Sequence, residues 1–349
     1  MKKRLILCGF GNVGRTFAQL ITDQRQAVAE KYGLELEFKA VVDIGGAAVF
    51  RDGALPVERL LAHVKRGGSV ESFEDCGCPG MSGSRVLAEV AAEFLVETTP
   101  TNLKDAEPGR GHMLAALTNG KDIVTANKGP LVLFYKDIMN LARKKERSIY
   151  MSAATAAALP TLDVGLLCLA GARVLSIEGI LNGTTNYILT RMSQEKCSYE
   201  VALRAAQEMG IAETDPSLDV DGLDTRNKMI LIANRLFDKN FCPADVPVTG
   251  ITGITLQDME KAKTAGTVIK LIGECRMEDG TVRLNVGPKR LGLDHPLAAV
   301  NFSEKGISYL SDTMGRVTVT GGKSSPVGAA AALLKDLIHA SLFSAEGRI

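Results

Sequence analysis

Residues 4–20 read RLILCGFGNVGRTFAQL. Arg4 to Phe10 is a short apolar run of strand type, and Asn12 to Lys31 carries the period of a long amphipathic helix. The junction holds Gly9, Gly11 and Gly14 in the order G-x-G-x-x-G. Gly9 permits the tight turn, Gly11 lets the backbone approach a pyrophosphate, and Gly14 lets helix and strand pack closely, while the helix N-terminus offers N–H donors to the anion. On its own the motif is common; between a strand and a long helix it predicts a dinucleotide site built from Gly9, Phe10, Gly11, Asn12, Val13 and Gly14.

A second strand from Glu35 to Asp43 completes a β-α-β opening. Strand-like 92–97, helical 109–118 and strand-like 122–125 continue the alternation, which calls for a parallel sheet with helices on both faces. Asp43 ends the second strand, where a carboxylate bonds ribose hydroxyls and repels a 2′-phosphate. That favours NAD. Its distance from Gly14 exceeds the usual ~20 residues, and Arg51 lies just beyond as a phosphate partner, so NAD and NADP both stay open. The Gly-rich segment 45–84 reads as an excursion from the sheet.

After about residue 135 the pattern changes to a helix ending at Lys145, a strand near 148–152, a strand at 173–181 and three helical stretches within 184–237. Further strands are expected at 244–254, 282–288 and 306–320, then a final helix from Pro326 to Leu342. The expected class is therefore α/β: a Rossmann-type doubly wound sheet over 1–135, and an α+β domain with a mixed sheet over 136–319. Composition agrees with an ordinary globular chain of 349 residues: 41 Lys plus Arg balance 40 Asp plus Glu, and 46% of residues are hydrophobic. A net charge of +1 offers no field for nucleic acid. No apolar stretch reaches the ~18 residues of a membrane span, and the glycine pattern cuts the N-terminal apolar run too early for a signal peptide. Seven scattered cysteines, an odd number, point to reduced thiols and a cytoplasmic setting. Cys76 and Cys78 lack the second pair that a zinc site needs. His63, His112, His295 and His339 are isolated and are expected to be ordinary core or surface residues.

Two lysines stand out. Lys128 follows a parallel strand at its carboxyl end, where ligands of open α/β sheets bind. Lys228 follows Glu213, Asp215, Asp219, Asp221 and Asp224, and on a helix it shares a face with Asp224. A surface ion pair is the ordinary reading of such a spacing. Hydride chemistry on an alcohol gives a stronger one: a proton must leave or reach the reacting oxygen, a lysine can carry it, and carboxylates in the same cleft hold a substrate ammonium group.

At these residues the chain resembles the homoserine dehydrogenases. GFGNVG, ETTPTN, DIVTANKGPL, GILNGTTNYIL and GIAETDPSLDVDGLDTRNK follow one another across nearly the whole length. The resemblance is to the short monofunctional form, with no room for an ACT domain and no preceding aspartokinase. It implies NAD(P)-dependent interconversion of L-homoserine and L-aspartate 4-semialdehyde, in the route to threonine, methionine and isoleucine. It also implies Lys128 and Lys228 as paired lysines, with Lys228 the favoured proton donor. Glu213, Asp224, Asp219, Gly183 and Thr184 become substrate contacts; Thr99, Lys128, Gly210 and Gly321 become cofactor contacts. The resemblance further implies a return of residues 320–349 to the first domain and a homodimer formed by the second. Other readings are a same-fold dehydrogenase for another small amino-acid alcohol, and a dinucleotide-binding protein without turnover.

The chain departs from the family twice. The family's Glu that helps hold a monovalent cation is here Ser152, which leaves the carbonyls of Thr155 and Ala157 as expected ligands. The family's G-x-G-A-G loop near the nicotinamide reads Gly321-Gly322-Lys323-Ser324-Ser325-Pro326.

Overall fold

The computed structural model describes residues 1–322 and 324–343; Lys323 of the departing loop lies outside them. The chain divides into two compact units, Met1–Ala158 with the segment from Ser325 onward, and Leu159–Ser324.

The first unit is built on seven strands: β1 (Lys2–Cys8), β2 (Glu35–Asp43), β3 (Gly46–Val49), β4 (Gly77–Pro79), β5 (Phe94–Glu97), β6 (Asp122–Thr125) and β7 (Ile149–Tyr150), in the order β4-β3-β2-β1-β5-β6-β7. The run β2-β1-β5-β6-β7 is parallel. Leu5, Ile6, Leu7 and Cys8 are all at 0% exposure, so both faces of β1 are covered, as a parallel sheet requires. One cover is the helix Asn12–Tyr32, which ends at Gly33 in a left-handed conformation with φ +60. Helix Pro326–Phe343 packs against it, and Leu333, Leu337 and Ile338 join the core of Phe17, Leu5 and Phe38. The C-terminal return therefore begins at Ser325 rather than at 320. The first unit also runs past 135, because helix Tyr135–Lys144 leads into β7 at the edge of this sheet.

The second unit carries β8 (Val174–Ile180), β9 (Thr267–Glu278), β10 (Thr281–Gly292), β11 (Lys305–Ser311) and β12 (Arg316–Gly321), in the order β10-β9-β8-β11-β12. These strands pair antiparallel throughout, not as a mixed sheet. The expected strand at 244–254 is absent among the described residues. Pro247 and Gly250 interrupt it, and only an isolated bridge from Val248 to Val286 remains. Helix Leu223–Phe237 buries Met229 to Asn234 without interruption, so its apolar middle anchors the polar first turn at the ends of the strands.

Candidate active site

In the first unit the glycine loop takes the expected shape. Gly9 has φ +92, and a Cβ there would lie 2.6 Å from the Thr99 amide nitrogen. A Cβ on Gly14 would meet the Gly9 carbonyl oxygen at 2.0 Å, which makes this glycine the seam between helix and strand. Gly11 differs from both: nothing lies within 4 Å of its Cβ position, and it precedes a helix whose N-terminus has no side-chain cap. Space and unclaimed helix-end donors together form a cradle for a pyrophosphate. The Phe10 side chain is buried in the core, so Phe10 can meet a cofactor only through its backbone, while Val13 packs half-buried against that core.

The cradle opens on a cleft of about 660 Å³ lined by Gly9, Asp43, Gly45, Gly80 to Ser84, Thr99 and His112. The excursion 45–84 is thus one wall of the cleft. Asp43 and Gly46 close the turn between β2 and β3, and β3 then runs back antiparallel to β2. With Phe50 N–H bonded to the Lys39 carbonyl at 3.0 Å, Arg51 is carried about 15 Å along the strand from Asp43 at ~3.3 Å per residue. Arg51 is therefore no partner for a phosphate beside Asp43. The carboxyl group of Glu71 packs against Gly45 instead and adds negative charge at that rim.

Two residues outside the expected set organise the back of this cleft. Glu97, fully buried, accepts from the Thr99 amide at 2.8 Å and from the Thr99 hydroxyl, and its other oxygen meets His112 Nδ1 at 2.8 Å. Asn127 donates to Thr99 Oγ1 at 3.0 Å and accepts from the Gly129 amide at 3.0 Å. ETTPTN and TANK are thereby tied into one unit, which sets Lys128 at the start of helix Gly129–Leu133. Cys8, Glu97 and His112 offer ligand atoms within 4.8 Å of one another. Burial pushes the Cys8 thiol well up, and both Glu97 oxygens are engaged, so the trio is a packed hydrogen-bond cluster rather than a metal centre. His112 was invisible as a site residue because its partner lies 15 positions away.

In the second unit, Asn182 caps helix Gly183–Glu195 by accepting from the Thr185 amide at 3.0 Å. The same side chain donates to Asp219 at 2.6 Å and to Asp224 at 3.0 Å. Lys228 Nζ donates to Asp224 at 2.5 Å and to the Leu181 carbonyl at 2.8 Å. The Lys228 and Asp224 side chains are only 14% and 13% exposed, so this is no solvated surface pair. Gly183 fits against the Ser303 carbonyl, which a Cβ would approach to 2.9 Å. Thr184 Oγ1 bonds the Ile211 carbonyl at 3.1 Å, which holds the turn at Gly210, φ +68. Asp219, Asp224, Lys228, Gly183 and Thr184 are thus brought together. Glu213 is not part of their hydrogen-bond network: it is exposed, and its backbone carbonyl accepts from Gln207 at 3.2 Å. Gly321 ends β12 at φ +112 with open space at its Cβ position.

At Ser152, which stands where the family has its cation-holding Glu, the polar groups are already paired. Lys335 Nζ donates to Ser152 Oγ at 3.1 Å, the Ser152 amide donates to buried Asp336 at 3.0 Å, and Thr155 Oγ1 donates to the Ser152 carbonyl at 2.8 Å. An ammonium group already stands at Ser152, so this side chain does not fit as a ligand of a metal ion.

A Rossmann-type sheet with a glycine cradle, joined in one chain to a buried Lys–Asp pair, defines an oxidoreductase of the NAD(P)-dependent class acting on a CH–OH group. The comparisons with known proteins agree. The family description "Homoserine dehydrogenase, NAD binding domain" matches residues 9–152 and "Homoserine dehydrogenase" matches residues 160–338. The chain belongs to the homoserine dehydrogenase family. It is 38% identical over 335 residues to the homoserine dehydrogenase of Methanocaldococcus jannaschii, covering 96% of this chain and 97% of the relative. It is 34% identical to an NAD(+)-dependent homoserine dehydrogenase of Pseudomonas canavaninivorans, covering 96% and 95%. Among solved structures, the S. aureus homoserine dehydrogenase superposes with a TM-score of 0.77 at 26% identity, covering 99% of this chain and 78% of that one. No described helix is long and apolar enough to cross a membrane.

Proposed function

We propose that the chain interconverts L-homoserine and L-aspartate 4-semialdehyde, with Lys228 as the group that holds and moves the proton at the reacting oxygen. The observation that carries this reading is the Lys228–Asp224–Asn182–Asp219 network, nearly closed to water and anchored on two helix first turns. When bound, the nicotinamide supplies or accepts the hydride. In the reducing direction an N–H bond of Lys228 breaks as the O–H bond of homoserine forms; in reverse the neutral amine takes that proton back. Asp224 orients the lysine. Asp219, Glu213 and the Gly183–Thr184 turn bind the amino-acid end of the substrate, and Lys128 contributes a second positive charge.

NAD is the preferred cofactor in this reading, supported by Asp43 and Glu71 at the ribose rim and by the removal of Arg51 from it. Lys335 does the work of a cation at Ser152, so exchanging K⁺ and Na⁺ for tetramethylammonium leaves turnover unchanged; a loss above threefold would contradict this. A homodimer formed through the second unit and a cytoplasmic setting complete the proposal, the former read by sedimentation. The test of the activity is the absorbance of reduced nicotinamide with homoserine as substrate, and Lys228→Ala must lower it.

A further inference from the structure

Helix Gly183–Glu195 carries the Gly183–Thr184 turn at its start, and one loop is laid along one of its faces. Gly183, Asn186 and Thr190 stand three and four residues apart, so they line one side of that helix. Against them lies the loop 300–304. The Ser303 carbonyl rests on Gly183, the Asn186 side-chain amide donates to the carbonyls of Val300 and Glu304 at 3.1 Å each, and the Phe302 N–H donates to Thr190 Oγ1 at 3.1 Å. Asn186 and Thr190 are both buried, so the helix side of this seam is closed to water.

Lys270 enters the seam from β9 and is 2% exposed. Its Nζ donates to Asn186 Oδ1 and Asn301 Oδ1 at 3.1 Å each, to Thr190 Oγ1 at 3.5 Å and to the Val300 carbonyl. These acceptors are neutral oxygens, and they come from both the helix and the loop. Lys289, level with Lys270 on β10, turns its amine to Glu178 and Glu274 instead. Burial brings the Lys270 ammonium down to about 8 against the pull of Glu304. An ammonium among neutral oxygens is a costly fastener. The loop has other fasteners, since the Asn186 and Phe302 bonds hold it to the helix without the lysine. What Lys270 adds is a fixed centre that draws helix oxygens and loop oxygens to one point, and so sets how closely Ser303 sits on Gly183. That spacing matters because Asn182 takes the Thr185 amide as its cap, which leaves the Gly183 and Thr184 amides as donors with no partner inside the helix. A Cβ on Gly183 would come within 2.9 Å of the Ser303 oxygen, so a displaced loop displaces the turn. Asn182 moves with it, and Asn182 holds Asp219 and Asp224.

We infer that Lys270 is a positioning residue for the amino-acid end of the substrate, acting through Asn186 and the loop 300–304 on the Gly183–Thr184 turn. The inference rests on the function proposed above. Lys270 touches neither the substrate nor the cofactor, and neither the hydride nor the proton passes through it. Its effect therefore falls on substrate binding more than on the chemical step.

The test uses the full chain at about pH 7, where Lys270 carries its charge. For Lys270→Ala the expected result is a KM for homoserine raised at least ~10-fold, the scale of one charge-assisted hydrogen bond to the substrate. The same variant keeps kcat within about threefold of wild type and the Kd for NADH unchanged. Propylammonium, which returns an ammonium to the same oxygens, lowers the raised KM at least about threefold, and tetramethylammonium, which has no N–H, does not. A smaller rise of KM in folded Lys270→Ala overturns the inference. A raised KM that propylammonium leaves unmoved, or that comes with an equally raised Kd for NADH, marks a merely structural lysine and overturns it too. If Lys270→Ala does not fold, Asn301→Ala decides, because it removes one acceptor and leaves the lysine in place. A KM raised at least about threefold with an unchanged Kd for NADH upholds the inference there, and any smaller change overturns it. A wild type without turnover on homoserine overturns both this inference and the function beneath it; an active wild type whose variants keep its KM overturns this one alone.

Discussion

Gly11→Ala separates a glycine kept for a ligand from one kept for the fold. The Cβ site of Gly11 meets nothing within 4 Å, and its φ of −75 suits alanine. Folding stability should therefore change by less than about 0.5 kcal/mol, within the range of neutral surface substitutions. The new methyl group stands where a pyrophosphate must approach the helix end. Backing the anion off by about 1 Å weakens one or two charge-assisted hydrogen bonds, worth ~1.5 to 3 kcal/mol each, so the Kd for NADH should rise by at least ~10-fold. Gly14→Ala is the counterpart: its Cβ would lie 2.0 Å from the Gly9 oxygen, so helix and strand must separate, at a cost of several kcal/mol typical of overpacking and strain. Calorimetric titration with NADH and thermal unfolding of both variants give the four numbers required. Undiminished NADH affinity in Gly11→Ala, or equal destabilisation of the two variants, would refute the assignment of the cradle.

Three further outcomes follow from the same geometry. Lys228→Ala lowers kcat at least ~100-fold, the scale of general acid–base help; because the pair is 13–14% exposed, a stability loss of ~1 to 3 kcal/mol accompanies it, and near-normal turnover contradicts the role. Asp43→Ala weakens NAD more than NADP, measured as separate Kd values, and equal losses remove Asp43 as the selector. Glu178 is pushed up by burial, but the Lys289 and His295 hydrogen bonds and charges more than offset this and bring it to about 2. Its folded value lies below its unfolded one, so its contribution of at most ~3 kcal/mol is present above pH ~4.5 and is lost as pH falls toward 2. In Glu178→Gln the fall in melting temperature across that window flattens; an unchanged slope rejects the cluster as the cause.

Local pattern made much of this molecule legible. The β-α-β opening, the glycine loop and the Asp224/Lys228 spacing depend on periods of two, three and four residues, which a chain displays directly. What stayed hidden depends on pairing between distant segments. The segment 45–84 reads as an uninformative insertion because β3 and β4 are four and three residues long, yet the turn at Asp43 makes it the wall of the cleft and carries Arg51 away. β9 is twelve residues long, yet only Ala265 and Gly266 separate it from helix Leu256–Thr264, so no extended loop marks the change from helix to strand in the sequence. The strand expected at 244–254 fails for the opposite reason: apolar residues are present, but Pro247 removes a ladder donor. Glu97 and His112 gain their meaning from each other, across a strand and a helix fifteen residues apart, and no local spacing announces that pair.

The central claim is tested most directly by mixing the purified chain with L-homoserine and either NAD or NADP, and following reduced-nicotinamide absorbance beside L-serine, L-threonine and 4-hydroxybutyrate. The account predicts turnover confined to homoserine and faster with NAD. Cofactor binding without turnover on homoserine, or turnover on another alcohol of the panel instead, would contradict it.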